Sequence, residues 1–186
     1  MSELTAILDR LKAGDPQAPA ALFAQVYEEL RRLATRQMQG DVSGRSLTPT
    51  ELVHEAYLRL FNGATPAFAD RSYFFAAAAQ AMRRVRVDHY RAAHAAKRGG
   101  QQQRVELHSG LAALPEPDLD LLAVDEALDR LTARDPIKAK LVELRFFAGL
   151  TMPQVAEVLG VSLATAERHW TYAKAWLLAE LRPGDP

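Results

Sequence analysis

Hydrophobic residues recur at helical spacing along most of this chain. Leu22, Val26, Leu30 and Leu33, for example, follow one another at intervals of three or four residues, as on the buried stripe of an amphipathic helix. Such patterns, bounded by glycine, proline and capping residues, predict helices over residues 2–13, 17–39, 49–61, 70–97, 119–131, 135–148, 151–159 and 163–181. Strand-like alternation is absent and β-branched residues are sparse, so we predict an all-α fold.

The longest predicted helix, over residues 70–97, has an apolar face and a strongly basic one. Phe74 heads the apolar face and is expected in the core, followed by Ala78, Ala81, Val85, Ala92 and Ala96. On the other face Arg84, Arg91 and Arg98 recur every seven residues, flanked by Arg83, Tyr90, His94 and Lys97. Basic side chains near aromatic residues suit phosphate binding and base stacking, although a merely solvated face would have the same periodicity.

The C-terminal pattern predicts a helix-turn-helix motif. Thr151 and Gln154 have the spacing of a capping box, Gly160 is placed to end the first helix, and Ser162 is a suitable N-cap for the second. In the second helix Ala166, Trp170, Ala173 and Leu177 form the predicted inner stripe, which leaves a polar outer face. Such a face suits a recognition helix in the DNA major groove, although an ordinary helical hairpin can have the same pattern.

Residues 99–118 separate two helical regions and have the composition of a linker. They contain three glycines, three glutamines and two prolines, without sustained periodicity. We therefore predict two small helical domains, over residues 1–98 and 119–186, joined by this flexible segment.

Composition and charge narrow the possible functions. The chain has 186 residues, no cysteine and a net charge of zero, which excludes disulfides and thiolate zinc sites and is compatible with a reducing cytoplasm. No stretch is long and apolar enough for a membrane span. The zero balance hides an asymmetry: residues 83–104 hold seven basic and one acidic residue, whereas 105–135 hold eight acidic and two basic. Such asymmetry often accompanies nucleic-acid binding.

Enzymatic chemistry has little support in the sequence. His54-Glu55 resembles the start of a zinc-protease helix, but Leu58 stands where the second histidine would be. The other histidines have no metal-ligand spacing, and there is no glycine-rich phosphate loop. We predict no catalytic residues, no metal and no cofactor.

Long blocks of the chain resemble bacterial sigma factors of the extracytoplasmic-function (ECF) group, in particular an ECF-like subfamily. The blocks are LTPTELVHEAYLRLF (47–61), SYFFAAAAQAMRRVRVDHYRAAHAAKRGG (72–100), LLAVDEALDRL (121–131) and VELRFFAGLTMPQVAEVLGVSLATAERHW (142–170). The resemblance implies a region 2-like domain that binds core RNA polymerase and the −10 element of promoter DNA. It also implies a region 4-like domain that reads the −35 element.

The same resemblance implies roles for individual residues. The polymerase-binding surface would comprise Glu51, His54, Glu55 and Arg59. The −10 contacts would be Arg83, Arg84, Arg86, His89, Arg91 and Lys97. The −35 contacts would be Ser162, Thr165, Glu167, Arg168, His169, Thr171 and Lys174. The chain departs from the family pattern in having Phe68 as the aromatic residue nearest the SYFF block, where members often have tryptophan, and in its interrupted arginine run after Asp88.

Two other functions stay open at this level. A stand-alone helix-turn-helix regulator would bind DNA without polymerase, and a helical adaptor would bind only protein. For a sigma factor, control through expression level, an anti-sigma factor or modification is expected. A further hypothesis is autoinhibition, in which the acidic block (105–135) rests against the basic helix.

Overall fold

The computed structural model describes residues 3–38, 47–62, 66, 68–98 and 117–181, with the side chains of 94–98 and 117–120 outside the description. These residues form α1 (Glu3–Lys12), α2 (Ala18–Gln37), α3 (Pro49–Phe61), α4 (Arg71–Arg98), α5 (Pro117–Arg134), α6 (Pro136–Val142), α7 (Met152–Leu159) and α8 (Leu163–Glu180). A π-helical turn, Glu143–Phe147, follows α6 directly. No strand occurs within these ranges, and the all-α prediction is confirmed.

Side-chain caps start α3 and α6. At α3 the Glu51 amide donates to Thr48 Oγ1 (3.2 Å) and the Thr48 amide donates to the Glu51 carboxylate (2.7 Å), which completes a capping box. At α6 Asp135 accepts a hydrogen bond from the Lys138 amide. Pro49 and Pro136 occupy first-turn positions, where the missing N–H has no intrahelical partner in any case.

The first four helices pack around the apolar stripes of α2, α3 and α4. The predicted α2 stripe is buried throughout, and Leu52, Val53 and Phe74 are fully enclosed. Ala92 corrects the prediction for α4, because it is exposed. Ala92 lies 18 residues, or about five full turns, after Phe74 and therefore on the same side of α4, so the apolar side of this helix extends beyond the part that the core covers.

The second half of the chain is built from α5 to α8. Helix α6 packs against α5 and α8, and α7 packs against α8 in the motif predicted at the C-terminus. The segment predicted as one helix over 135–148 is divided: α6 gives way to the π-helical turn, in which the Ala148 amide donates to the Glu143 carbonyl (3.0 Å). Gly149 then ends the helical run with a φ of 70°.

The described parts of the two halves are in contact, and most of their buried apolar residues belong to one continuous hydrophobic cluster. The most extensive contact between them is that of α4 with the π-helical turn. Residues 99–116 of the predicted linker lie outside the described residues, while Pro117 and Asp118 begin α5. The predicted domain boundaries therefore stay a prediction.

Candidate nucleic-acid interface

The helix-turn-helix geometry depends on three backbone positions. Gly160 adopts the left-handed conformation (φ 64°), and the next amide, that of Val161, donates to the Ala156 carbonyl (3.0 Å), which closes α7. Ser162 is extended, and its hydroxyl accepts a hydrogen bond from the Thr165 amide (3.2 Å), which starts α8. The turn therefore follows from a glycine and a cap, as the sequence predicts.

Helix α8 buries one face and offers a polar one. Ala166 and Ala173 are fully buried, and Trp170 and Leu177 pack partly buried against the core. On the other side Glu167, Arg168, Thr171 and Lys174 are exposed, whereas Thr165 and His169 are half-buried. These exposed side chains span about two turns of α8, over which a recognition helix can reach base edges.

Several of these polar side chains already contact one another. Arg168 Nη2 donates to Thr165 Oγ1 (3.2 Å), and Thr165 Oγ1 lies 2.9 Å from Ser162 Oγ. Lys174 Nζ lies 5.4 Å from the centre of the Trp170 ring, a cation–π distance. The Arg168 guanidinium is thus held over the N-terminal turn of α8, where backbone amides also favour anions.

The basic residues of α4 differ widely in exposure. Arg84 and Arg91 are exposed, Arg86 is half-buried, and His89 is exposed with Nε2 2.9 Å from Glu55 Oε2. Lys97 lies in α4, but its side chain is outside the described part. Of the predicted −10 residues whose side chains are described, Arg84, His89 and Arg91 are thus exposed.

Arg83 is buried, with only 4% of its surface exposed. Its Nη1 donates to Asp125 Oδ1 (2.5 Å) and its Nη2 to Glu143 Oε1 (3.2 Å). Its guanidinium also lies 5.6 Å from the centre of the Phe147 ring. In the arrangement described here, DNA could reach Arg83 only if the second half moved away from α4.

Asp125 and Glu143 are site residues that sequence reasoning missed. Asp125 lies on α5, accepts from Arg83 and also from Arg91 Nη2 (3.4 Å), and is buried. Burial raises the pKa of the Asp125 carboxyl, and Asp129 adds to the rise, against the opposing effect of the Arg83 and Arg91 charges. The sequence signal was the charge asymmetry itself, which does not tell which acidic residue meets which arginine.

The predicted polymerase-binding residues follow α3. Glu51, His54 and Arg59 are exposed and Glu55 is half-buried. Thr48 holds the Glu51 carboxylate through its backbone amide and its hydroxyl, which lowers the pKa of that group. Arg59 pairs with Asp88 of α4 (2.7 Å). Two of the four residues therefore also link α3 to α4.

An aromatic group beside α3 was not predicted. The Phe23 ring of α2 lies 5.3 Å from the His54 ring and 4.5 Å from the Tyr57 ring, and Tyr27 lies 6.0 Å from His54. Tyr57 donates a hydrogen bond to the Pro19 carbonyl, and burial raises the pKa of its hydroxyl. His54 therefore stands on an aromatic platform built from α2 and α3.

The described residues contain no group of three histidine or acidic side chains placed to hold a metal ion. Among the helices that the structure describes, none combines the length and apolar character needed to cross a membrane.

A model of the ECF sigma factor family matches residues 1–183, nearly the full chain. The chain belongs to the ECF sigma factor family. No curated protein sequence matches the chain. This ECF sigma factor thus has a role in transcription initiation and is a DNA-binding regulator, from a family of transcription regulators and not of enzymes.

Proposed function

We propose that this sigma factor binds core RNA polymerase and directs it to promoters by recognising a −10 and a −35 element. The observation that carries the proposal is the exposed polar face of α8 on a correctly capped helix-turn-helix, in a chain that the family model matches over residues 1–183. Core polymerase and promoter DNA are the partners, and the cytoplasm is the site of action.

The −35 element is assigned to α8. Arg168 and Lys174 supply exposed positive charge, and Glu167 supplies an acceptor for a cytosine amino group. The Ser162 hydroxyl caps the helix, so its role with DNA is to hold the N-terminal turn whose amides face a phosphate. Thr165, His169 and Thr171 complete the proposed surface.

The −10 element is assigned to α4. Arg84 and Arg91 offer exposed guanidinium groups to the phosphates of an unwound strand. Arg86, His89 and Lys97 extend the proposed path. Arg83 can contact this strand only in a form of the protein in which Asp125 and Glu143 no longer bind it.

Core polymerase is assigned to α3. Exposed His54 and Arg59 lie beside Leu58, an apolar side chain that is 69% exposed. Exposed apolar surface flanked by charge is typical of protein-binding sites. Glu51 and Glu55 add negative charge to the same helix.

Run-off transcription with purified core polymerase and a library of promoters tests the proposal. We expect transcripts that depend on the added protein, and co-purification of the protein with the core enzyme. A stand-alone regulator would instead bind its DNA site equally well without polymerase and would yield no dependent transcript. That result, from a protein that is folded by circular dichroism, would overturn the assignment.

A further inference from the structure

Helix α4 has a second buried face, which points toward the second half of the chain. Ala76, Ala79, Arg83 and Val87 recur at helical spacing and are all buried, and Arg83 within this row contacts α5 and the π-helical turn. The face is apolar except for Arg83. A helix whose proposed role is to bind DNA is thus partly covered by its own chain.

Besides the apolar contact between the halves, a small number of polar contacts hold this cover in place. Asp125 and Glu143 bind Arg83, Gln80 Nε2 donates to Glu143 Oε1 (3.1 Å), and Tyr73 donates through its hydroxyl to the Val158 carbonyl (2.6 Å). Gln37 Nε2 donates to the Phe147 carbonyl (3.3 Å). These bonds join α2 and α4 of the first half to α5, the π-helical turn and α7 of the second.

The π-helical turn is what brings Glu143 and Phe147 to Arg83. Both residues lie within its five positions, and its hydrogen bonds span five residues where an α-helix spans four. Gly149, two residues after the turn, faces Arg36 of α2: a Cβ at this position would lie 3.0 Å from Arg36 Nη1. The turn and its glycine thus fit closely against the first half.

We propose that these contacts form an autoinhibitory closed state, in which Asp125 and Glu143 occupy the place on Arg83 that a DNA phosphate would take. The inference rests on the proposed role of α4 in binding the −10 strand. Both carboxylates would also repel an approaching phosphate. The closed state leaves Arg84 accessible, so DNA can make a first contact before the halves separate.

The contacts are suited to reversible closure. Charged groups removed from water lose hydration, so a buried ion pair adds little net stability even when its geometry is good. The network is also incompletely satisfied, because Arg83 Nε has no hydrogen-bond partner in the described part of the chain. A polyanion that offers Arg83 new partners therefore competes with the closed state.

Double electron–electron resonance on the full chain tests the closed state directly. The sequence has no cysteine, so Gln25→Cys on α2 and Ala175→Cys on α8, both exposed positions, give one spin label in each half. We expect one narrow distance distribution in the free protein. The double variant Asp125→Asn, Glu143→Gln should broaden it toward longer distances, as should a single-stranded oligonucleotide added to the wild type.

DNA affinity supplies the second measurement. The Asp125→Asn, Glu143→Gln protein should bind the oligonucleotide more tightly, by up to about tenfold if the open form is a tenth of the wild-type population. Glu126→Gln with Asp129→Asn makes the same change in net charge on exposed α5 carboxylates and serves as the control. Tyr73→Phe removes one contact between the halves without leaving a charge unpaired, and it should shift the distances in the same direction.

A broad distribution in the free wild type, or equal affinities of the Asp125/Glu143 variant and its control, would overturn the closed state. If the Asp125→Asn, Glu143→Gln variant loses its helical circular dichroism, the Tyr73→Phe variant takes its place in the test. Unchanged spin–spin distances in Tyr73→Phe would also overturn the closed state. Neither measurement involves polymerase. If sigma-dependent transcription fails while the spin–spin distances behave as expected, the proposed function is wrong but the contact between the two halves is still supported.

Discussion

His89 Nε2 of α4 lies 2.9 Å from Glu55 Oε2 of α3, and this pair joins the proposed DNA helix to the proposed polymerase helix. The His89 side chain is 48% exposed to solvent and that of Glu55 is 39% exposed. The pair is therefore expected to contribute under about 1 kcal/mol to the free energy of unfolding. If substitution of His89 or of Glu55 weakens DNA or polymerase binding by more than this free energy, the loss must come from a contact with that partner.

A double-mutant cycle measures this contribution. Urea denaturation of His89→Ala, Glu55→Ala and the double variant should give a coupling free energy of about 0–1 kcal/mol. Arg59 and Asp88, which join the same two helices at 2.7 Å, form a matched second pair. A coupling well above this range would mean that the pair fastens α3 to α4, and the functional data would need that correction.

The cap of α3 separates a structural role of Glu51 from a binding role. Glu51→Gln keeps an acceptor for the Thr48 amide but removes the charge, whereas Glu51→Ala removes both. We expect Thr48→Ala to lower the free energy of unfolding by about 1 kcal/mol. Core-polymerase affinity that falls in Glu51→Gln but not in Thr48→Ala, which also weakens this cap, would identify a direct contact.

The Glu51 carboxylate also makes the free energy of unfolding depend on pH. Hydrogen bonds from the Thr48 amide and then the Thr48 hydroxyl lower the pKa of Glu51 in the folded state, so folding favours its carboxylate form. The resulting stabilisation is present above the ordinary pKa of glutamic acid, about 4.3, and is lost as pH falls through the lowered value. Denaturation curves of wild type and Glu51→Gln should converge in that acidic range; parallel curves down to pH 2 would contradict the cap.

Structural features are predictable from the sequence when the interacting residues are close to one another along the chain. The start of α3 follows from Thr48 and Glu51, three residues apart, and the α8 stripe follows from helical period. The environment of Arg83 does not, because its partners Asp125 and Glu143 lie 42 and 60 residues further along the chain. Local patterns carry no information about which acidic residue a tertiary fold brings to a given arginine.

The second face of α4 is a case in which the signal was present but ambiguous. Ala76, Ala79 and Val87 have helical spacing, but Arg83 in the same row indicates a solvated face. Only a buried partner charge makes an arginine compatible with such a row. The π-helical turn has a similar cause: the 135–148 pattern predicts a helix, and nothing in it marks the extra residue at Glu143–Phe147.

Arg83 and Arg84 are neighbours with opposite surroundings, and alanine substitutions should separate them. Arg84→Ala changes an exposed side chain and should alter the free energy of unfolding by less than about 0.5 kcal/mol. Arg83→Ala leaves Asp125 and Glu143 without their main partner and should cost about 1–3 kcal/mol. Separation of the halves, which returns both carboxylates to water, limits the loss.

Thermal and urea denaturation of the two variants check this difference, with single-stranded DNA binding as the functional readout. Arg84→Ala should weaken DNA binding at wild-type stability. Equal stability of the two variants would show that the buried network contributes nothing to folding.

Gly160 provides a test of the helix-turn-helix geometry. Its φ of 64° is strained for other residues, and a Cβ there would meet no atom within 4 Å, so the cost of Gly160→Ala is purely conformational, about 1–2 kcal/mol. Gly14, at φ 79° and equally open, is the matched control outside the motif. Both variants should lose stability in thermal denaturation, but only Gly160→Ala should also impair promoter-dependent transcription. Impairment by both would assign the defect to stability alone.

The exposed cations of α8 should differ in what they recognise. Arg168 stands over the first turns of the helix, hydrogen-bonded to Thr165, where a recognition helix meets base edges, whereas Lys174 lies almost two turns later beside Trp170. Arg168→Ala should relax selectivity at one base pair of a −35 site by about 1–3 kcal/mol. Lys174→Ala should weaken binding by a similar factor on all sequences and reduce the salt dependence by the amount of about one phosphate contact. Selection of −35 sequences from a random library with polymerase holoenzyme, repeated at two salt concentrations, measures both effects. A uniform loss across sequences for Arg168→Ala would place its guanidinium on the phosphate backbone instead.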